Sequence, residues 1–257
     1  MTSGDTDDFF IGWRRGQPHA VRRFALLVAM AAIVVFAGAG ALLGLQVDDP
    51  ARNLFARTGV VDEAPEPWLG DQLLQGVVTH RPTPILHIAP DAARPGGRAL
   101  LLSGYGKRGA EVPEGPGPFA FAGGLLRRGA IEMLVVDDVP EPAEGTPLAP
   151  QPVPLGRWRA VGEICDGKCY PGGIKPGSGL AHRACATLCI DGAVPAIFVV
   201  ASPVAGATYL LLAGPDGGPL PDDLRGLIAR PIELEGDVER LGAILVFKVD
   251  PARARAL

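Results

Sequence analysis

Residues 129–137 read GAIEMLVVD, and residues 242–250 read GAILVFKVD. Both segments begin with Gly-Ala-Ile, continue as an apolar run and end in aspartate, 113 residues apart. Further matches follow in the same order at separations of 110 to 112 residues: 85–88 (ILHI) with 197–200 (IFVV), 100–104 (LLLSG) with 210–214 (LLLAG), and Gly124 with Gly236. An ordered series of matches at nearly one separation indicates an internal repeat.

Each copy of the repeat contains five short apolar runs broken by Gly and Pro, which is typical of strands. The predicted strands are 76–79, 84–89, 98–103, 119–126 and 131–137 in the first copy, and 160–165, 196–201, 208–213, 231–238 and 243–249 in the second. Copies of about 75–95 residues suit a small Greek-key barrel. We therefore expect a mainly β protein with two tandem OB-like barrels, at 75–138 and 159–251.

The remaining segments are predicted to connect and anchor these barrels. Residues 139–158 contain six prolines and predict a stiff linker, and residues 48–74 predict a tether. Residues 24–47 carry no charge, and a helix of that length rises about 36 Å, enough to span a membrane. Their alternative interpretation is a cleaved signal peptide, with the small residues 37–39 as its cleavage site.

The distribution of arginine orients the predicted transmembrane helix. Four arginines precede the helix within residues 1–23, at positions 14, 15, 22 and 23. The positive-inside rule places that segment in the cytoplasm. We therefore expect a single-pass protein of the bacterial inner membrane, with its C-terminal domains in the periplasm.

One difference separates the two copies of the repeat. The first predicted strand reaches the second within 7 residues in the first copy (Val78 to Ile85), but within 33 in the second (Ile164 to Ile197). The second copy thus carries an insertion, residues 165–192, and all four cysteines lie within it. A long connection in a small domain is often functional.

The insertion contains a candidate metal site. His182, Cys185 and Cys189 are spaced i, i+3 and i+7, which places them on one face of a predicted helix over 181–188. Cys169 precedes a Gly-rich turn that can fold back over that face. Cys169, His182, Cys185 and Cys189 then form a Cys3His set, which is typical of tetrahedral zinc.

Two other interpretations of the cysteines remain open. Thiols outside the cytoplasm are usually oxidised, so disulfides among Cys165, Cys169, Cys185 and Cys189 are an alternative. A Cys165–Cys189 or Cys169–Cys185 bond would stabilise the insertion by about 3 kcal/mol. A reactive thiol pair is the third interpretation.

The segment GEICDGKCY…HRACATLCIDGAVP, within residues 162–195, resembles a bacterial family of membrane-anchored proteins with an OB-like domain. Members of that family read D-x-x-C-[YF]…H-x-x-C-A-x-x-C, and the similarity extends over residues 161–249. The resemblance implies that Asp166 belongs to the motif together with Cys169, His182, Cys185 and Cys189. Cys165 replaces the aliphatic residue that is usual in the family.

The N-terminal segment DFFIGW (8–13), followed by the predicted anchor, resembles membrane proteins encoded with cytochrome b and Rieske-type components. This resemblance implies a respiratory partner. From it we expect a non-catalytic accessory subunit of an electron-transfer complex, whose cysteine segment stabilises a docking surface. The alternative function is a periplasmic metal-binding or thiol-redox module.

Composition and motifs exclude several other functions. The net charge of −4 and the pI of about 5.6 argue against a nucleic-acid partner. No arrangement of residues suggests a catalytic or cofactor-binding site, which favours a non-catalytic role and leaves the question of an enzymatic activity open. The Gly-rich segment 104–109 is interpreted as a turn, not a phosphate loop.

Individual residues outside the insertion carry weaker expectations. His80 and His87 are candidate ligands, and His87 is predicted to face solvent or a neighbouring chain. Asp137 and Asp250 are predicted to be equivalent strand ends. Arg127, Arg128 and Arg240 are predicted to be exposed turn residues.

Overall fold

The computed structural model describes residues 19–46, 68–115, 117–145 and 149–257. The chain divides into two units after residue 64: the first contains one described helix, and the second contains all the described strands. Most of the predicted cytoplasmic segment and of the predicted tether lies outside the described residues.

Helix α1 (His19–Gln46) contains 28 residues, and its most apolar window has a mean hydropathy of 2.5. Large apolar side chains on it, such as Phe24 and Phe36, are exposed. At 1.5 Å per residue the helix rises about 42 Å, more than the ~30 Å hydrocarbon core of a bilayer. One helix near the N-terminus is therefore long and apolar enough to cross a membrane.

The first barrel is a closed, five-stranded sheet, and a short sixth strand pairs with its fourth strand. Its strands are β1 (Trp68–Thr79), β2 (Ile85–Ile88), β3 (Arg98–Ser103), β4 (Pro118–Arg128), β5 (Ile131–Val136) and the short β6 (Glu141–Pro142). Hydrogen bonds join the strands in the order β1-β2-β3-β5-β4, and β4 pairs again with β1. Strands β3 and β5 are parallel, whereas the other pairs are antiparallel.

The second barrel repeats this plan. Its strands are β7 (Pro152–Asp166), β8 (Ala196–Val204), β9 (Ala207–Ala213), β10 (Pro231–Leu241), β11 (Ile244–Val249) and the short β12 (Arg255–Ala256). The order is β7-β8-β9-β11-β10, β10 closes onto β7, and β9 and β11 are the parallel pair. The predicted tandem of small OB-like barrels is confirmed.

Strands β1 and β7 begin earlier in the chain than the sequence predicts. Strand β1 starts at Trp68, inside the predicted tether, and β7 starts at Pro152, inside the predicted linker. Prolines 152 and 154 fit into β7 because that half of the strand pairs with β10, and pairing with β8 begins only at Gly162. A strand with a single neighbour tolerates the missing N–H of proline.

Among the described residues, buried apolar side chains form three cores. One fills the first barrel and includes Leu100 and Phe121, and another fills the second barrel and includes Phe198 and Phe247. The third core takes residues from both barrels, so it lies between them. The two barrels are therefore one compact unit, not two separate domains on a stiff connection.

The core between the barrels joins equivalent positions of the two copies. Its members include the matched pairs Ile85 and Ile197, Leu101 and Leu211, Ile131 and Ile244, and Met133 and Val246. On β3, Leu100 and Leu102 point into the first barrel, whereas Leu101 belongs to the core between the barrels. Burial on both faces explains the apolar runs at 100–102 of β3 and 133–136 of β5.

Candidate metal centre

The insertion begins with a turn that is fixed by Asp166. This residue ends β7, and its Oδ1 accepts hydrogen bonds from the backbone N–H groups of Cys169 (2.7 Å) and Lys168 (3.2 Å). Asp side chains close turns in this way because their short carboxylates reach the backbone two or three residues ahead. The bond places Cys169 directly beyond the end of the strand, at the start of a helical turn over Cys169–Gly173.

The chain then returns to Cys169 as the sequence predicts. Gly177 packs directly on this residue, since an added Cβ would lie 2.5 Å from the carbonyl oxygen of Cys169. A turn over Leu180–His182 leads into helix α2 (Arg183–Asp191). The predicted helix is therefore present, displaced by two or three residues toward the C-terminus.

Three of the four thiols lie together. The Sγ of Cys169 lies 3.9 Å from that of Cys185 and 3.8 Å from that of Cys189, and all three sulfurs are within 4.8 Å of one another. Cys169 and Cys189 are buried, and Cys185 is half-buried. Zinc–sulfur bonds of about 2.3 Å at tetrahedral angles would separate sulfur ligands by about 3.8 Å. In this thiol trio (Cys169, Cys185, Cys189), the two separations from Cys169 thus match those of a tetrahedral metal site.

His182 lies beside Cys169 of the trio and contacts Asp166. Its Nε2 is 2.9 Å from Asp166 Oδ2, and both residues are buried. Asp166, Cys169 and His182 form a second group with metal-ligating atoms within 4.8 Å of one another. The predicted Cys3His residues therefore occupy two overlapping groups that share Cys169.

Lys107 is a component of the site that the sequence analysis missed. Its Nζ lies 2.7 Å from Cys185 Sγ and 3.8 Å from Cys189 Sγ. It belongs to segment 104–109 of the first barrel, interpreted from the sequence only as a turn. The site is therefore assembled from both copies of the repeat.

Segment 104–109 is fixed against the insertion by backbone and side-chain contacts. The N–H of Gly109 donates to Gly192 O (2.7 Å), and Lys168 Nζ donates to the carbonyls of Gly104 (2.7 Å) and Gly106 (2.9 Å). A Cβ on Gly192 would clash with the carbonyl oxygen of Lys107. Only glycine at position 192 allows the two segments to approach this closely.

The charges around the trio favour a thiolate. A hydrogen bond from the Cys169 thiol lowers the pKa of Cys189 to about 7, and the Lys107 ammonium acts in the same direction. The same hydrogen bond, together with burial, raises the pKa of Cys169. The hydrogen bond to Cys185 raises the pKa of Lys107, so this side chain remains cationic. Thiolates are the form in which cysteines bind metals.

Cys165 stands apart from the trio. It is buried, and its Sγ lies 3.4 Å from Glu163 Oε1. Burial raises the pKa of its thiol well above the usual value. All four cysteines are free thiols, and the sulfur separations of 3.8 and 3.9 Å within the trio exceed the disulfide bond length of about 2.05 Å.

Several expectations outside the insertion are wrong. His87, predicted to face solvent or another chain, is buried between the barrels: Thr79 Oγ1 lies 2.9 Å from its Nε2, and Gly242 of the second barrel lies next to its Nδ1. Arg127 is not an exposed turn residue, since it forms an ion pair with the buried Glu132. Arg128 donates to the carbonyl of Tyr170 (2.9 Å) and is half-buried.

Comparison with models of protein families, with curated proteins and with solved structures finds no match for this chain. The two resemblances described above therefore stay predictions.

Proposed function

We propose that this protein is a membrane-anchored metal-binding module that holds one zinc-like ion on the thiolates of Cys169, Cys185 and Cys189. The observation that carries the proposal is that Cys169 Sγ lies 3.9 Å from Cys185 Sγ and 3.8 Å from Cys189 Sγ, the separation of sulfur ligands on a tetrahedral zinc ion. Soft thiolate ligands select zinc or Cu(I) over magnesium and calcium.

His182 is the proposed fourth ligand. Asp166 is hydrogen-bonded to Nε2 of His182, so Nδ1 is the nitrogen that remains to bind a metal. A carboxylate that holds the second nitrogen fixes the orientation and tautomer of a ligating imidazole. Asp166 would thus organise the site twice, because its other oxygen holds the turn that carries Cys169.

The charge of Lys107 complements such a site. Three thiolates and one divalent ion carry a net charge of −1, which the ammonium beside Cys185 balances. Hydrogen bonds to ligating sulfur tune a bound metal and limit its loss. Because Lys107 comes from the first barrel, metal binding would also strengthen the contact between the two copies.

The metal content of purified variants tests the proposal. The full-length protein, purified in detergent without oxygen, is expected to contain one zinc per chain, and Cys189→Ser is expected to reduce zinc affinity by more than about 100-fold. Cys165→Val is the matched control: it removes a buried thiol outside the trio and should keep the metal. Metal-free protein without reactive thiols would instead indicate disulfides, and metal-free protein with exchangeable thiols would indicate a redox module.

The location of the protein is a further part of the proposal. The apolar helix α1 supports an inner-membrane anchor with the barrels in the periplasm, together with the four arginines before its uncharged stretch, at positions 14, 15, 22 and 23. Labelling of whole cells with a membrane-impermeant reagent, directed at a cysteine introduced at exposed Tyr105, tests this orientation. Labelling only after the inner membrane is disrupted would contradict it.

An accessory role beside a cytochrome b or Rieske-type complex stays a prediction. The residues that carry the resemblance, 8–13, lie outside the described residues. Purification from native membranes in mild detergent tests it. Recovery with redox-active subunits would support this role, and recovery only as a lone monomer would contradict it.

A further inference from the structure

A cluster of charges in the first barrel surrounds one buried carboxylate. Glu132 on β5 is 4% exposed, and its two oxygens accept hydrogen bonds from Arg94 (3.0 and 3.1 Å), Arg98 (2.8 Å) and Arg127 (2.8 Å). Burial raises the pKa of Glu132, but hydrogen bonds from Arg98 and Arg94 outweigh it, and the pKa lies below its usual value. The carboxylate is therefore ionised and its accepting positions are occupied.

The arginines have more donors than Glu132 can accept. Arg98 Nη2 is buried and has no hydrogen-bond partner among the described residues. A buried donor without a partner costs free energy, and the cost is larger for a charged group. Glu132 therefore satisfies the Arg98 guanidinium only in part, and the Arg98 side chain remains 15% exposed, at the lining of a cavity.

A cavity of about 360 Å³ lies at this cluster. It is lined by the three arginines and Glu132, by Gly129 and Ala130 of the hairpin between β4 and β5, and by Ala243 of the matching hairpin in the second barrel. Within the described lining Glu132 is the one carboxylate, so the walls carry a net charge of +2. The volume lies in the range of sites for small molecules.

The second barrel shows that the fold itself does not require these charges. At the repeat separations of 113 and 110 residues, Glu132 corresponds to Leu245 and Arg98 to Thr208. Leu245 is buried in the core of its barrel, at the same place on the equivalent strand. Apolar residues commonly replace buried ion pairs without loss of stability, so a purely structural role leaves the cluster unexplained.

The geometry points to an anion-binding site in this cavity that takes a small, doubly charged oxyanion on Arg94, Arg98 and Arg127. A phosphate, a sulfate or a short dicarboxylate shares the required chemistry: two negative charges and several oxygens that accept from guanidinium groups. Glu132 accepts hydrogen bonds from all three guanidinium groups, but as a carboxylate it is not a ligand of the anion, and its charge opposes binding. This site is separate from the thiol trio and does not depend on the proposed metal.

Calorimetric titration of the full-length protein in detergent tests the site, with inorganic phosphate, sulfate and succinate as separate probes and chloride as the monovalent control. At least one dianion is expected to bind at one per chain and chloride is not. Arg98→Gln should weaken binding about 10-fold or more. Arg81→Gln removes an exposed arginine outside the cavity and should leave the affinity for the dianion unchanged. If none of the dianions shows saturable binding, or if both variants bind alike, the proposal is wrong.

Two further variants keep the test independent of folding. Arg94 is more exposed than Arg98, so Arg94→Gln should fold and still weaken binding. Glu132→Gln removes the one negative charge of the wall, and a bound dianion should raise its melting temperature more than that of the wild type. Loss of binding in folded Glu132→Gln would contradict the charge argument.

Discussion

The two barrels share a strand order, yet each contains a feature that the other lacks. In the first barrel, residues 80–84 connect β1 to β2, whereas residues 167–195 connect β7 to β8 in the second. The longer connection contains the thiol trio, and the first barrel contains the arginine cluster around Glu132. The duplicated strands thus provide the interface between the barrels, whereas the thiol trio and the arginine cluster lie where the two copies differ.

Equivalent positions in the core between the barrels should contribute equally to the free energy of unfolding. Leu101 and Leu211 occupy matched places there, and both are fully buried. Leu101→Ala and Leu211→Ala should each lower the free energy of unfolding by about 2–5 kcal/mol. Chemical denaturation of the full-length protein should show one transition for both variants. Separate transitions, or a cost confined to one variant, would contradict a single shared core.

The burial of His87 should make the stability depend on pH. Burial lowers its pKa from 6.5 to about 4, so the folded protein keeps this imidazole neutral. Between pH 6.5 and 4 the unfolded chain binds a proton on this imidazole that the folded protein does not bind. The free energy of unfolding is therefore highest above pH 6.5, and it falls by roughly 3 kcal/mol as the pH decreases to 4. Denaturation curves across this range measure the effect.

The control for this effect is His87→Gln, which keeps a polar side chain but cannot titrate. The difference in pH dependence between this variant and the wild type isolates His87 from the carboxylates. Identical pH profiles would show that His87 is accessible to solvent, as the sequence analysis first predicted.

A larger side chain at position 192 should disrupt the contact between segment 104–109 and the insertion and so lower the stability of the protein. Gly192→Ala places a methyl group against the carbonyl of Lys107, and such overpacking costs about 1–3 kcal/mol. Gly226→Ala is the matched control, since an added Cβ there meets nothing within 4 Å. Thermal unfolding compares the two. Equal melting temperatures would indicate that the two copies do not meet at this point.

The smallest effect is expected at the ion pair between the barrels. Arg81 and Asp216 lie 3.1 Å apart, but their side chains are 67% and 76% exposed. Arg81→Gln should change the free energy of unfolding by less than about 0.5 kcal/mol, because solvent screens exposed ion pairs. A cost comparable to that of Leu101→Ala would mean that charge, not the apolar core, holds the barrels together.

Much of the fold could be predicted because each repeated motif is a short, contiguous segment of the sequence. Gly129-Ala-Ile and Gly242-Ala-Ile mark equivalent hairpins, and the apolar runs beside them mark the strands. The contact between the barrels could also have been inferred, because residues such as Leu100, Leu101 and Leu102 are apolar in succession instead of alternating. The tether and linker were predicted too long because prolines and charges also occur in strands with one neighbour.

The site was predicted only in part. Helical spacing identified Cys185 and Cys189, since that signal depends on neighbouring residues alone. Lys107 lies 78 residues before Cys185 and reaches it only because the two barrels pack together. Glu132 lies on β5, and its arginines lie on β3, on β4 and in the loop before β3, so strand pairing within the first barrel brings the cluster together.

X-ray absorption at the zinc edge, on the full-length protein purified without oxygen, tests the central claim most directly. We expect three sulfur neighbours at about 2.3 Å and one nitrogen neighbour at about 2.0 Å, which Cys165→Val leaves unchanged. A zinc ion surrounded only by oxygen and nitrogen, or a protein that holds no zinc and has its cysteines joined as disulfides, would contradict it.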